Sequence, residues 1–384
     1  MSEIRRIHPN PFHATSESAF QAAADDLARR APTLSRDQFL VELMRFVALL
    51  GERDGHSGIF PLDPDQDQPL HLYPLFLYKF SDGLFVVSSI GNRDLIGAKL
   101  LAVDGISVEQ LEQKVRPLVP RDNESTRTDR FPQYMITAEV LHGLGLRPNA
   151  GPARFTFQKP GEAPRDVLLT PTDAASYTTG LSNDFPTLVY ALPRRPAPLY
   201  LRRRATSLYV STLQRGRVVY VGYNAVRPNT YPASRKILRL ARQRKVRRVI
   251  VDVRLNPGGD NHTYVWLLGA LRSKTVNRRG RLIVLMGRST FSAAQNFVTE
   301  VERRTRAIFV GETSGGSPNL YGDVRPVRLP STGWTVNVAA IWWVKSRAND
   351  PRVAIEPHVP VAVSSSDFFA GRDPALQAAL AYRR

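Results

Sequence analysis

The alternation of apolar and polar positions divides the 384-residue chain into stretches of different period. Residues 18–30 have helical composition, and a second helix starts at Ser35, with Gln38 three residues on in capping-box spacing. It carries Phe39, Leu43, Met44, Phe46, Val47 and Leu50 inward, and Gly51 ends it. These helices read as a small bundle that delivers the loop "GERDGHSGIF". From about 70 to 120 the period shortens to that of strands: "LHLYPLFLYKF", a turn at "SDG", "LFVVSSI", then "GAKLLAVDGISV" with a second turn at Asp104-Gly105. A polar stretch, "PRDNESTRTDRFP", separates this β-rich module from a helix expected around 133–143 and strands near 153–169. The segment 192–205, "LPRRPAPLYLRRRA", has the Pro and Arg content of a linker.

Beyond that segment the pattern is most regular. Strands "LYVSTL" and "RVVYVGY" precede a helix through 232–244, the apolar strand "RRVIVDVRL" and the glycine loop "NPGGDN". A helix near 262–272, the strand "RLIVLMG", a helix beginning at Ser292 and the strand "AIFVGE" follow. Strands alternating with helices predict an α/β layer whose functional loops gather at strand ends.

Composition narrows the function classes. With 42% hydrophobic and 23% charged residues the chain has the make-up of a globular protein with a conventional core. Lys and Arg number 53 against 34 acids, a formal charge of +19, which raises nucleic acid, anionic membrane or an acidic substrate as partners. The basic clusters "LARRAP", "LRRRAT", "RQRKVRR" and "VERRTR" are scattered, however, and no zinc-finger, RNA-recognition or basic-zipper pattern accompanies them. They read as a solvated basic surface, not as a specific nucleic-acid site. The absence of cysteine excludes disulfides and thiolate chemistry. Neither metal-ligand spacing nor a nucleotide-binding glycine motif is present, so neither a metal nor a cofactor is expected. The N-terminal residues lack the apolar run of a signal peptide, and no stretch of about 18 apolar residues occurs, so the expectation is a cytoplasmic protein without a membrane span.

The candidate chemistry centres on "STFSAAQNF". Ser292 follows a buried-looking strand and opens a helix, whose unpaired N–H groups and partial positive charge suit an oxyanion. Serine there is also a common helix cap. The paired glycines of "NPGGDN" permit backbone N–H groups to converge on a carbonyl oxygen, or simply make a tight turn. A serine nucleophile needs a base. Seven histidines are available; His56 projects from "DGHSG" between glycines, and His262 lies just after the glycine loop.

Taken in order, "LLGERDGHSG", "IGAKLLAVDGISVEQL", "VIVDVRLNPGGD", "LMGRSTFSAAQNF", "VGETSGG" and "IEPHVPVAVSS" resemble the S41 family of serine peptidases, the tail-specific or C-terminal-processing proteases with their tricorn-like branch. The resemblance implies an α/β fold with a crotonase- or ClpP-like ββα catalytic domain over 206–384, an N-terminal helical region over 1–60 carrying His56, a PDZ-like module over 68–125 with a carboxylate loop around Gly97, and connecting elements over 126–205. It makes Ser292 the nucleophile, with oxyanion donors from the N–H of Ala293 and of Gly258 or Gly259. The lysine that other members carry after the serine is missing from "GETSGGSPN", so the resemblance points to the His-dependent branch, with His56 as base. An orienting carboxylate then comes from Asp350, with Glu356 as the competing position. The polar residue that precedes the histidine in that branch is Gly55 here, which leaves Ser57 as a substitute. The implied activity is serine-type endopeptidase hydrolysis of peptides or proteins, recognised through their C-termini. Partners are peptide or protein substrates, with no specific nucleic acid, and an oligomer is compatible with the pattern. The rivals are an inactive S41-like protein that binds an apolar ligand or peptide, and a nucleic-acid-associated scaffold.

Overall fold

The computed structural model of the chain describes residues 1–63, 66–184 and 197–383, without the side chains of 180–184. It falls into two compact units. One comprises Met1–Asp122, Arg127–Ala191 and Tyr321–Trp342; the other comprises Asn123–Thr126, Leu192–Leu320 and Trp343–Arg384.

In the first unit the helix Glu17–Arg30 is capped by the Ser16 hydroxyl, and Arg36–Val47 by the reciprocal Ser35–Gln38 capping box. The second of these buries Leu40, Val41, Leu43, Met44, Phe46 and Val47 and packs against the helix Ala138–Gly143. Gly51 follows with φ +86, where an added Cβ would meet Ala14, so the chain turns there into the loop bearing His56. The strands Leu75–Phe80, Gly83–Ser89, Lys99–Val103, Ala153–Gln158 and Arg165–Leu169 pair in that order into one antiparallel sheet. This sheet therefore draws strands from both 68–125 and 126–205. Asp104 and Gly105, both with positive φ, close the hairpin from Val103 to Ile106, as the Asp-Gly pair predicts.

Two segments depart from the sequence reading. The polar stretch 120–132 is mostly the helix Glu124–Met135, and the helix expected around 133–143 is two pieces, that one and Ala138–Gly143. A long hairpin, Asn319–Arg328 paired with Thr335–Val344, has no counterpart in the sequence reading. Residues 192–196 of the Pro/Arg-rich segment lie outside the described residues, and its described part includes the short helix Leu199–Arg202.

The second unit holds a six-stranded sheet in the order Val359–Pro360, Ile308–Gly311, Leu282–Met286, Arg248–Asp252, Val218–Tyr223, Leu208–Leu213, parallel except for the last pair. Parallel strands covered on both faces need apolar residues at every position. "VIV" and "LIVLM" meet that need with buried side chains throughout. Register places Val249, Val251, Val284 and Phe309 on one face with Ile237, Leu267, Leu271, Phe297 and Val301 of the helices Tyr231–Ala241, Val265–Arg272 and Ala293–Arg304. Ile250, Ile283, Leu285, Ile308 and Val310 point the other way, onto Leu376 and Ala379 of the helix Pro374–Ala381. Among the described residues, no helix is long and apolar enough to cross a membrane, and no cluster of His, Asp and Glu has the make-up of a metal site.

Candidate active site

In the second unit two loops leave the C-terminal ends of adjacent parallel strands and meet. The first is rooted by Arg254, whose buried guanidinium bonds Asp252 at 2.6 Å and Asp373 at 2.8 and 2.9 Å. Asn256, fully buried, donates from Nδ2 to the Tyr223 carbonyl at 2.9 Å, and its Oδ1 accepts the Gly258 N–H at 3.0 Å. The second loop is tied to the first by two bonds. The Phe291 N–H donates to the Asn256 carbonyl at 3.1 Å, and the Thr290 hydroxyl donates to the Val253 carbonyl at 2.9 Å. Buried polar groups satisfied in this way fix a single loop geometry.

Ser292 stands where these loops meet. Its φ of +53 and ψ of −128 are strained for a side chain with a Cβ, a cost of about 1–3 kcal/mol that surrounding structure must over-determine. The strain makes a sharp strand-to-helix turn and presents a half-buried serine at the start of the helix Ala293–Arg304. Ser292 holds the N-cap position, but its side chain makes no capping hydrogen bond, so the expectation that it also caps the helix is corrected. Gly258 lies directly against it. At φ +113, a Cβ on Gly258 would fall 2.6 Å from the Ser292 Cβ and 3.0 Å from the Ala293 nitrogen. Only glycine permits this approach.

The two glycines divide their work. The Gly258 N–H is taken by Asn256, and the Gly258 carbonyl accepts the Val226 N–H at 2.8 Å. Gly259, at φ +138, runs so close to Val226 that a Cβ would sit 2.0 Å from its carbonyl oxygen. Among the described residues, neither the Gly259 N–H nor the Ala293 N–H has a hydrogen-bond acceptor.

In the first unit, the loop 53–58 holds His56. Tyr321 clamps it through its backbone: the Tyr321 N–H donates to the Arg53 carbonyl at 2.9 Å, and the His56 ring donates to the Tyr321 carbonyl. Asp122 accepts the Gly55 N–H at 2.7 Å, and Arg130 donates to the Gly55 carbonyl. Burial, reinforced by the positive charge of Arg130, pushes the His56 ring down to about 4, against the opposing pull of Asp54 and the Tyr321 carbonyl. The ring is therefore a neutral acceptor at pH 7. Asp54 is itself fixed, with Oδ2 3.1 Å from Nε2 of the buried His8 and Oδ1 accepting the Ser57 N–H at 3.2 Å. The Ser57 hydroxyl accepts the Ala339 N–H at 2.8 Å, pinning the loop to the strand Thr335–Val344.

Asp350 and Glu356 have other partners. The Asp350 carboxylate accepts from Ser346 and from Arg352, whose guanidinium also grips Glu302 at 2.8 and 2.9 Å; these bonds hold Asp350 well below the usual carboxylate range. Glu356 is exposed and accepts from the Thr313 hydroxyl. The carboxylate whose charge reaches His56 is Asp54. His262 is exposed, with its ring near Trp343. The sequence reading missed Asn256, Thr290, Arg130 and Tyr321, and gave Asp54 no role although it begins the quoted "DGHSG".

Mature CPAF complexed with lactacystin superposes with a TM-score of 0.57 at 14% identity, over 91% of this chain and 89% of that one. A serine-to-alanine mutant of CPAF gives 0.58 at 13% identity, over 100% and 96%. The chain has the fold of CPAF. No protein-family model matches the chain, and no curated protein matches it by sequence.

Proposed function

We propose that the protein is a serine peptidase in which Ser292 is the nucleophile and His56 its general base. The observation that carries this reading is the strained Ser292, held against Gly258 at a helix N-terminus, where the Ala293 N–H and, on the adjoining glycine loop, the Gly259 N–H have no acceptor among the described residues. A serine used only for packing or capping gains nothing from φ +53. In the reaction, the neutral His56 ring takes the Ser292 proton through the nitrogen opposite the one bonded to Tyr321, and Oγ attacks the substrate carbonyl. The N–H groups of Gly259 and Ala293 stabilise the oxyanion. The protonated ring then returns its proton to the leaving amine, and water releases the acyl group. The resemblance would give Asp350 the orienting role, but the groups acting on His56 support the Tyr321 carbonyl and Asp54 instead. A depressed base is compatible with turnover near neutrality because it is fully unprotonated there, although it draws the proton less strongly.

Substrates on this reading are peptides or proteins, with selection at their C-termini by the β-rich module as the finer proposal. A ligand-binding, inactive homologue would have no use for the strained serine and the open N–H pair. The test is labelling of the purified protein with a fluorophosphonate, with the adduct located by mass spectrometry, in wild type, Ser292→Ala and His56→Ala. Since CPAF forms a complex with lactacystin, that compound is the second probe. Adduct on Ser292 in wild type, absent from Ser292→Ala and slowed by His56→Ala, is the expected result. A wild-type protein that reacts with neither probe would remove the proposal.

A further inference from the structure

Basic residues that are scattered in sequence converge in the second unit. A cavity of about 840 Å³ is lined by Arg242, Arg244, Arg247, Arg248, Arg278 and Arg281, joined by Arg383. No carboxylate side chain lines it. Arg248 opens the strand Arg248–Asp252 and Arg281 directly precedes Leu282–Met286, so the cavity lies at the N-terminal ends of the strands whose C-terminal ends carry the glycine loop and Ser292. A five-residue strand rises about 3.3 Å per residue, so some 16 Å of sheet separates the two.

Three of the arginines are held, yet their charge is not neutralised. Arg248 donates to the carbonyls of Ala379, Leu380 and Tyr382, Arg281 to that of Ala241 at 2.5 Å, and Arg278 to that of Lys274 at 3.0 Å. Carbonyl groups fix a guanidinium without cancelling its charge. Elsewhere in this protein buried guanidinium groups meet carboxylates, as Arg254 does with Asp252 and Asp373 and Arg147 with Asp104. Among the described residues, the cavity arginines form no such ion pair. The Nε of Arg281 is buried without a hydrogen-bond acceptor. Burial first, and then the like charges of Arg278 and Arg247, pull the Arg281 guanidinium below its ordinary value.

We propose that this cavity binds a compact polyphosphate, a small ligand with several clustered phosphate groups, either free or as the headgroup of a lipid. Planar guanidinium groups bind phosphate oxygens through paired hydrogen bonds, and a ring of them matches clustered phosphates better than isolated carboxylates. The volume is that of a small-molecule site. A nucleic-acid strand would need an extended basic groove with aromatic platforms for its bases, whereas among the described residues Tyr382 is the only aromatic side chain in the lining. The proposal is independent of the peptidase reading.

Calorimetry of the full-length protein with inositol hexakisphosphate is the first arm, and sedimentation with phosphatidylcholine vesicles, with and without a polyphosphorylated phosphoinositide, is the second. The variant Arg242→Gln/Arg244→Gln/Arg247→Gln removes exposed loop charges. A comparator, Arg29→Gln/Arg303→Gln/Arg325→Gln, removes the same charge elsewhere. Expected are one-to-one binding in at least one arm, weakening with added salt, and a loss of about tenfold or more in the cavity variant with little change in the comparator. Which arm responds identifies the source. Equal losses in both variants, no saturable binding in either arm, or displacement by a single-stranded oligonucleotide that loads several proteins per strand would each overturn the proposal.

Discussion

Replacing Gly258 with alanine probes the contact between the two loops of the second unit. The added methyl would stand 2.6 Å from the Ser292 Cβ, 3.0 Å from the Ala293 nitrogen and 3.1 Å from the Phe291 carbonyl oxygen. Carbon atoms in contact normally sit about 3.5–4.0 Å apart, so the loop or the serine must retreat by roughly 1 Å. A side chain at φ +113 adds about 1–3 kcal/mol of backbone strain. A displacement of about 1 Å in a catalytic array costs on the order of 10²-fold in rate. Gly258→Ala should therefore lose about 1–3 kcal/mol in urea titrations. Its fluorophosphonate labelling should fall on the order of 10²-fold under conditions where the variant is fully folded. Gly269→Ala is the control. An added Cβ there, on an exposed face of the helix Val265–Arg272, has nothing within 4 Å. This variant should gain about 0.5–1 kcal/mol and label at the wild-type rate. A folded Gly258→Ala protein that labels as fast as wild type would refute the reasoning that loop and serine form one site.

The strain at Ser292 predicts an inverted ranking: Ser292→Gly should be more stable than Ser292→Ala, against the usual preference for alanine, with neither variant labelled; equal denaturation midpoints would remove the strain argument. His56 sets a pH dependence. Its folded value near 4 lies below the ordinary 6.5, so the unfolded chain binds the proton first, and stability falls as pH drops from about 6.5 towards 4. His56→Gln should abolish that part of the slope, and the acid limb of the wild-type labelling rate should lie near pH 4 and not near 6.5. Asp350 acts in the same direction but at lower pH: its folded value is also depressed, so its stabilisation is present above the usual carboxylate range and is lost as pH falls below it. Asp350→Asn should lower the melting temperature at neutral pH while Ser292 still labels; complete loss of labelling in a folded variant would restore Asp350 to the active site.

The strands of the second unit could be read from sequence because burial on both faces leaves no polar position to confuse the period, as "LIVLM" shows. The Ser35–Gln38 box was equally plain because both of its partners are local. The helix Glu124–Met135 was hidden because its polar residues serve distant backbone and not water. Asn123, just before it, donates to the carbonyls of Ser314 and Val353, and Arg130 to those of Gly55 and Pro120. The serine, the histidine and the glycines could be singled out as candidates because each is a residue type with chemistry of its own. Asn256 and Thr290 were missed because they act on the positions of those residues, through carbonyls that no sequence pattern identifies. The basic cavity was missed for a related reason: its arginines come from three segments, and only the fold places them together.

The Tyr321 carbonyl that accepts the His56 ring N–H belongs to the main chain, and this changes how the pair tolerates substitution. Every amino acid at position 321 would supply the same acceptor, so scanning that side chain would report on the packing of the buried ring against His8, His13 and Trp342 and not on the bond to His56. What can break it is movement of the strand. The histidine loop is held to the paired strand Thr335–Val344 by the Gly58–Asn337 backbone pair, at 2.9 Å in both directions, and by Ala339 on Ser57. Mutations that loosen those seams, far from either ring nitrogen, would misalign the imidazole while every chemically active side chain stayed intact.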